Sequence, residues 1–434
     1  MKTLIRFAVL FLSVNAHAAD FKEIWSLVKE KHPELKSVQE DRRAAEDSSS
    51  RSLRHWLPQA YLIGRAYNTN DPLYSFMGNL GQRSITFADF NADILNHPNN
   101  INFAQFTLGL NLPIYEGGMS SANSRMQGYL LESRDFYKSA TQISVFSSLV
   151  SSYANVLNSE NTLQSLDTLK LRVKSVLSRY TLGAKTNPVG YSGLLGLKSI
   201  VNRIDAAINQ VSAEGDSRAD EINQRTGTVS IKIETNKQEV GKFLKETLPD
   251  DIISIGEESY SMLSAESGVG MEESKVSMER ARFLPQIGLF SESNMTTGAR
   301  NTASSYVGGV YLKWTLFNPK EFGVVSESIH HQASAEAKLE NDRVVESISR
   351  HELMLSLEVV EKNLEILQSS TQLMSEQVDT SVQLFQSGAI NALQLVEVFN
   401  RRADLILQIN ELNQNHIKVR SQLAKISRLK GISL

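Results

Sequence analysis

The side chains able to do chemistry are few, and their spacing does not suit it. Adjacent His330 and His331 would point about 100° apart on a helix, and no further ligand falls at a metal-binding interval. His351 and Glu352 begin something like a zinc-protease helix, but Leu355 stands where the second histidine is required. Gly268, Val269 and Gly270 follow no buried strand and lead to no phosphate-loop lysine, so nucleotide binding has no support. Cysteine is absent from the 434 residues, which excludes disulfides, thiolate metal sites and cysteine nucleophiles. No serine, histidine and acid share a nucleophile turn. The expectation is therefore no enzyme, no cofactor and no metal.

Composition narrows the class further. The net charge of −3 becomes about −5 if Lys2 and Arg6 are removed, which leaves no electrostatic footprint for nucleic acid. Those two cations, the apolar run from Phe7 to Val14 and the small-x-small triplet Ala16, His17, Ala18 predict a signal peptide over 1–18. No segment approaches the roughly 18 uninterrupted apolar residues of a membrane helix.

Two tandem copies of one pattern position everything else. Leu57, Pro58 and Gln59 are answered by Leu284, Pro285 and Gln286, and Tyr180, Thr181, Leu182, Gly183, Ala184 by Phe385, Gln386, Ser387, Gly388, Ala389. Between the copies the long helices keep step to within about three residues, whereas the first copy carries roughly 25 extra residues between its strands, as a duplication with one enlarged hairpin would. The predicted organisation is a first repeat over 19–226, an irregular equatorial segment over 227–250 and a second repeat over 251–434.

From Phe317 to Phe385 only Pro319 and Gly323 interrupt helix-permissive sequence, enough for a rod of roughly 100 Å. After the turn near Gly388, Leu395, Val398, Arg402, Leu405, Ile409, Leu412, His416, Val419, Leu423 and Ile426 alternate by three and four, a coiled-coil seam. Within it His416 and Arg402 read as polar seam residues that set register or face a tunnel. The first copy turns near Gly183.

Strands are expected near 59–70, 103–115, 286–294 and 305–317. Phe106, Leu108, Leu110, Leu112 and Ile114 alternate with Gln105, Thr107, Gly109, Asn111 and Pro113, and Tyr306, Val310, Leu312, Trp314 and Leu316 repeat the rhythm. About ten alternating residues with one apolar face is the pattern of a membrane-spanning β-strand. Open sheet edges are not tolerated in hydrocarbon, and known barrels need at least about eight strands, so a chain supplying four must share them with other copies.

At this point the residues resemble a family, the outer membrane efflux proteins of the TolC type. The resemblance spans essentially the whole mature chain: the leucine-proline-glutamine start of each first strand, the Leu112–Gly118 exit, and the aromatic-x-x-glycine turns at Gly183 and Gly388. It implies a mainly α protein with a small β-barrel contribution. Three identical chains would build a twelve-stranded outer membrane barrel continued by an α-helical periplasmic tunnel. The implied function is an exit duct of a tripartite efflux pump or type I secretion system, passive toward cargo delivered by an inner-membrane pump of RND, ABC or MFS type through a periplasmic membrane-fusion adaptor.

The resemblance also implies sites. The turns would form an adaptor-contact tip of Tyr180, Leu182, Gly183, Ala184, Phe385, Ser387, Gly388 and Ala389, although helix termination alone accounts for both glycines. Acids lining the periplasmic entrance of such proteins match Gln394 and Glu397, of which only Glu397 is charged, and a solvated helix-face glutamate is an equal reading. The enlarged hairpin, Asp71 to Asn102, is expected outside the cell, with bore plugging, phage exposure and no specific role all open. The rival readings are a periplasmic coiled-coil adaptor, which would carry one hairpin rather than two, and a structural envelope scaffold, which would not need amphipathic strands.

Overall fold

The computed structural model describes residues 18–180, 188–227, 232–235, 238–250 and 257–429. In chain order the elements of the first half are β1 (Ala18–Ala19), α1 (Phe21–Lys31), α2 (Pro33–Ser52), β2 (Gln59–Thr69), α3 (Pro72–Gly81), α4 (Ala92–Asn96), β3 (Ile101–Glu116), α5 (Met119–Ser178) and α6 (Pro188–Thr226). They continue with β4 (Lys232–Ile233), α7 (Val240–Thr247), α8 (Tyr260–Ala281), β5 (Gln286–Gly298), β6 (Thr302–Lys313), α9 (Val324–Gln386) and α10 (Ala392–Lys425). Two compact units emerge: a sheet unit of Arg42–Arg134 and Ala265–Leu339, and a helical unit of Asp135–Ser264 with the residues up to Asp41 and those from Glu340 onward.

In the sheet unit one antiparallel sheet runs in the order β2-β3-β5-β6. The central β3–β5 pairing joins the two halves of the chain, with Thr107 opposite Asn294 and Leu108 opposite Ser293. β6 stops at Lys313, the partner of Gln286, so Trp314 to Phe317 lie beyond the ladder despite their alternation. The preceding residue across the sheet is Pro285, which has no N–H to extend the pairing. Trp314 instead donates its indole N–H to the Phe283 carbonyl at 3.1 Å. β5 runs on to Gly298, past the expected end at 294, through polar Thr296 and Thr297.

The helical unit is held by two apolar clusters. In one, Ile24, Trp25 and Val28 of α1 and Val240, Phe243 and Leu244 of α7 cover Phe146, Leu149, Val150 and Leu157 of α5. In the other, Leu166 and Val173 of α5 pack with Leu197, Ile200 and Ile204 of α6 and Leu395, Phe399 and Ile406 of α10. The predicted seam of α10 is widened: Leu395, Leu405, His416, Val419 and Leu423 are buried as expected, Val398, Arg402, Ile409 and Leu412 are half-buried, and Phe399, Ala403, Ile406 and Asn410 beside them are buried as well. A helix packed against more than one neighbour needs a broader apolar arc than a two-helix seam.

The segment 227–250, expected to be irregular, contains the helix α7 and the short strand β4, which pairs in parallel with β1. Among the described residues no helix is long and apolar enough to cross a membrane.

Candidate functional site

The sheet has two chemically opposite faces. Directly paired residues share a face, so Leu62, Phe106, Leu108, Leu110, Leu289, Met295, Tyr306, Val310 and Leu312 fall on one side. They are not a core: Leu62 is 70% and Val310 68% exposed in the single chain. The other face carries Tyr61, Arg65, Gln105, Thr107, Asn111, Glu292, Asn294 and Ser305. These make their own polar network across the strands, with Tyr61 Oη donating to Glu292 at 2.6 Å and Thr107 Oγ1 to Asn294 at 2.6 Å. The Tyr61 ring lies over Gly109 and the Tyr311 ring over Gly288, each so closely that a Cβ on the glycine would come within 2.6 Å of it.

Among the described residues β2 and β6 each pair on one side only, which leaves both edges of the sheet with open hydrogen-bonding groups. An apolar face this large and two open edges mark a surface that another molecule or a bilayer must cover.

The second helical turn of the candidate tip is fully built. Gly388 has φ +78°, a left-handed conformation that glycine takes without penalty, and the Ala389 N–H reaches the Leu384 carbonyl at 2.8 Å while the Gly388 N–H reaches that of Phe385 at 3.1 Å. This is a Schellman stop. Ser387 Oγ adds a bond to the Leu384 carbonyl at 2.9 Å. Tyr180 and Phe385 come together with ring centroids 5.8 Å apart and planes 26° apart, and Tyr180 Oη donates to the Gly190 carbonyl at 2.8 Å. The pair lines a cleft of about 750 Å³ with Val189, Gly190, Gly388 and Asn391. Leu182, Gly183 and Ala184 lie outside the described residues.

Gln394 and Glu397 follow the turn on α10. Gln394 closes a capping box: its backbone N–H donates to Asn391 Oδ1, and its own Oε1 accepts from the Asn391 N–H, both at 3.0 Å. The asparagine-x-x-glutamine spacing that announces this box was present in the sequence and was missed there. Glu397 is exposed and accepts from Arg401 Nε at 2.9 Å.

The histidines set aside as ligands are dispersed. His331 faces Glu327 at 3.7 Å on a solvated helix surface, and among the described residues no group of three or more potential ligands forms a metal site. His416 is buried 3.3 Å from Glu361, and burial lowers its imidazole below the usual range. Beside it, fully buried Arg420 bonds Glu361 at 3.1 Å, Asp250 and the Leu248 carbonyl. Burial pulls its guanidinium down to about 10, still protonated at neutral pH. These contacts tie α10 to α9 and to the end of α7.

The fold defined by this sheet and these helices is that of bacterial outer membrane channels. No protein-family profile matches the sequence, and no curated protein is similar to it at a significant level. A solved membrane protein from Pseudomonas aeruginosa superposes with a TM-score of 0.77 at 12% identity, over 97% of this chain and 96% of that one. The CmeC outer membrane channel of Campylobacter jejuni gives 0.74 at 12% identity over 94% and 87%. The outer membrane protein VceC of Vibrio cholerae gives 0.73 at 10% identity over 94% and 95%.

Proposed function

We propose that the protein is a passive exit duct of the bacterial outer membrane, of the TolC type, through which cargo delivered from the inner membrane leaves the cell. The observation that carries this reading is the amphipathic four-stranded sheet, both of whose edges are unpaired among the described residues. In hydrocarbon each unsatisfied backbone group costs several kcal/mol, so the sheet must close, and four strands per chain close only by pooling with other copies. Three chains would contribute twelve strands, with the apolar face toward lipid and the Tyr61, Glu292 and Asn294 face toward a water-filled bore.

The helices then continue the bore into the periplasm as a tunnel, and the turn bearing Tyr180, Phe385, Ser387, Gly388 and Ala389 is the tip that meets a membrane-fusion adaptor. Glu397, and less directly Gln394, stand at the entrance. Energy comes from the inner-membrane pump, of RND, ABC or MFS type. The two repeats over 19–226 and 251–434 supply equivalent parts to this tunnel, and the segment 227–250 belts it.

The test is extraction and mass. The protein should leave the outer membrane only with detergent, run as a trimer by light scattering, and conduct ions in planar bilayers. A stable, water-soluble monomer obtained without detergent would end this reading.

A further inference from the structure

The insert between β2 and β3 is folded against one side of the sheet, and that side is the polar one. A Cβ on Gly78 of α3 would come within 2.4 Å of the Phe103 ring, and one on Gly81 within 3.0 Å of Thr296 Oγ1. Phe103 and Thr296 share their face with Gln105, Thr107 and Asn294. Glycine at both positions removes the Cβ that would hold the helix away. Tyr74 of α3 meets Tyr67 of β2 edge-on at 6.0 Å, again on this face.

A second set of contacts ties the insert to the β5–β6 turn. Arg300 forks onto Asp89 through bonds of 2.9 and 2.7 Å, and Asp89 also accepts from the Thr86 backbone N–H at 2.7 Å. Fully buried Gln82 accepts from the backbone N–H groups of Arg300 and Asn301 at 3.2 and 2.9 Å, and Asn301 Nδ2 donates to the Gln82 carbonyl at 3.0 Å. All of this lies at the hairpin end of the sheet, opposite the end where the strands continue into helices.

The amphipathicity of α3 is reversed. Ser75, Gly78 and Asn79, with Gln82 just beyond its end, are turned toward the protein, whereas Leu73, Met77 and Leu80 are exposed on the opposite side, with Phe87 98% exposed nearby. Ser75 Oγ, Asn79 Oδ1 and Gln82 Nε2 are buried with no hydrogen-bond partner among the described residues. Opening would hydrate these three groups and so offset part of the cost of breaking the contacts to Arg300 and Asn301.

We propose that the insert is a lid at the outer mouth of the duct. Laid over the bore-facing side of the sheet, it presents Leu73, Met77, Leu80 and Phe87 as a hydrophobic constriction that excludes water, and the Asp89–Arg300 pair is its latch. This rests on the duct reading above.

Because the chain has no cysteine, Asn294→Cys gives a single reporter on the polar face, deeper than Thr296. In intact cells, a membrane-impermeant polyethylene glycol maleimide should label it about tenfold faster once Arg300→Ala or Asp89→Asn releases the constriction. As a second readout, the Gly81→Cys, Thr296→Cys pair places its Cβ atoms near 3.3 Å, which a shift of a few tenths of an ångström brings into the disulfide range of about 3.5–4.5 Å. In the Arg300→Ala background, where the latch is released, oxidation should lower single-channel conductance in planar bilayers, and reductant should restore it. Equally fast labelling with the latch intact, or an oxidised pair that conducts like the reduced one, overturns the lid. Leu108→Cys on the apolar face separates the two readings: if a small impermeant maleimide labels it as readily as Asn294→Cys, the barrel is wrong rather than the lid.

Discussion

Arg401 Nε donates to Glu397 Oε1 at 2.9 Å across one turn of α10. Three symmetry copies of Glu397 at an entrance would therefore bring three arginines with them, and the ring would be close to neutral. An exposed pair of this kind contributes little stability, on the order of 0.2–1 kcal/mol, so its interest is electrostatic. Arg401→Gln should strengthen block of the channel by multivalent cations in planar bilayers several-fold, and Glu397→Gln should weaken it. Unchanged block in both variants removes Glu397 from the entrance.

Asn158 of α5 and Asn410 of α10 form a second, buried relationship. Asn158 Nδ2 donates to Asn410 Oδ1 at 2.8 Å, Thr162 Oγ1 joins at 3.2 Å, and Asn413 Nδ2 returns a bond to Asn158 Oδ1 at 3.1 Å. Truncating one partner strands the other, at a cost of roughly 1–3 kcal/mol. Asn158→Leu and Asn410→Leu should each lower the thermal midpoint in detergent, and the double variant should lose less than their sum. A strictly additive result would show that the two side chains do not couple.

His416 gives the helical unit a pH dependence. Its folded-state pKa is depressed by burial, opposed by Glu361, so between that value and the unfolded value of about 6.5 the unfolded chain binds more protons. Stability should be intact above pH 6.5 and fall as the medium is acidified below it. Thermal unfolding of the parent and of His416→Gln as a function of pH checks this; the variant should lack that part of the slope.

At the turn, Gly388 occupies φ +78°. Any L side chain there bears a left-handed penalty of roughly 1–2 kcal/mol. Gly388→Val should speed limited proteolysis between α9 and α10 and reduce capture of the adaptor, while Gly323→Ala, at φ +89° with nothing within 4 Å of its Cβ, should leave adaptor capture unchanged.

Much of the architecture was legible because it rests on short-range regularities. Alternation from Phe106 to Leu112 announces a strand with one apolar face, and sixty residues nearly free of proline and glycine announce a long helix, since both patterns follow from backbone periods. Gly388 was readable as a stop for the same reason. The end of β6 was not, because it depends on Pro285, which stands just before the neighbouring strand β5. Nor was α7, whose eight residues are too few for a helical period to stand out.

What the sequence determined alone is the kind of surface each segment must have: strands with a lipid-like face, helices with apolar stripes, turns where glycine releases the chain. Partners distant in the chain were decided only in three dimensions. Asn158 finds Asn410, Tyr61 finds Glu292, and Arg300 closes on Asp89. Each residue type reads as ordinary polar surface in one dimension, and it is the β3–β5 register, the packing of α5 on α10 and the fold of the insert that convert them into a cross-strand pair, a buried pair and an ion pair.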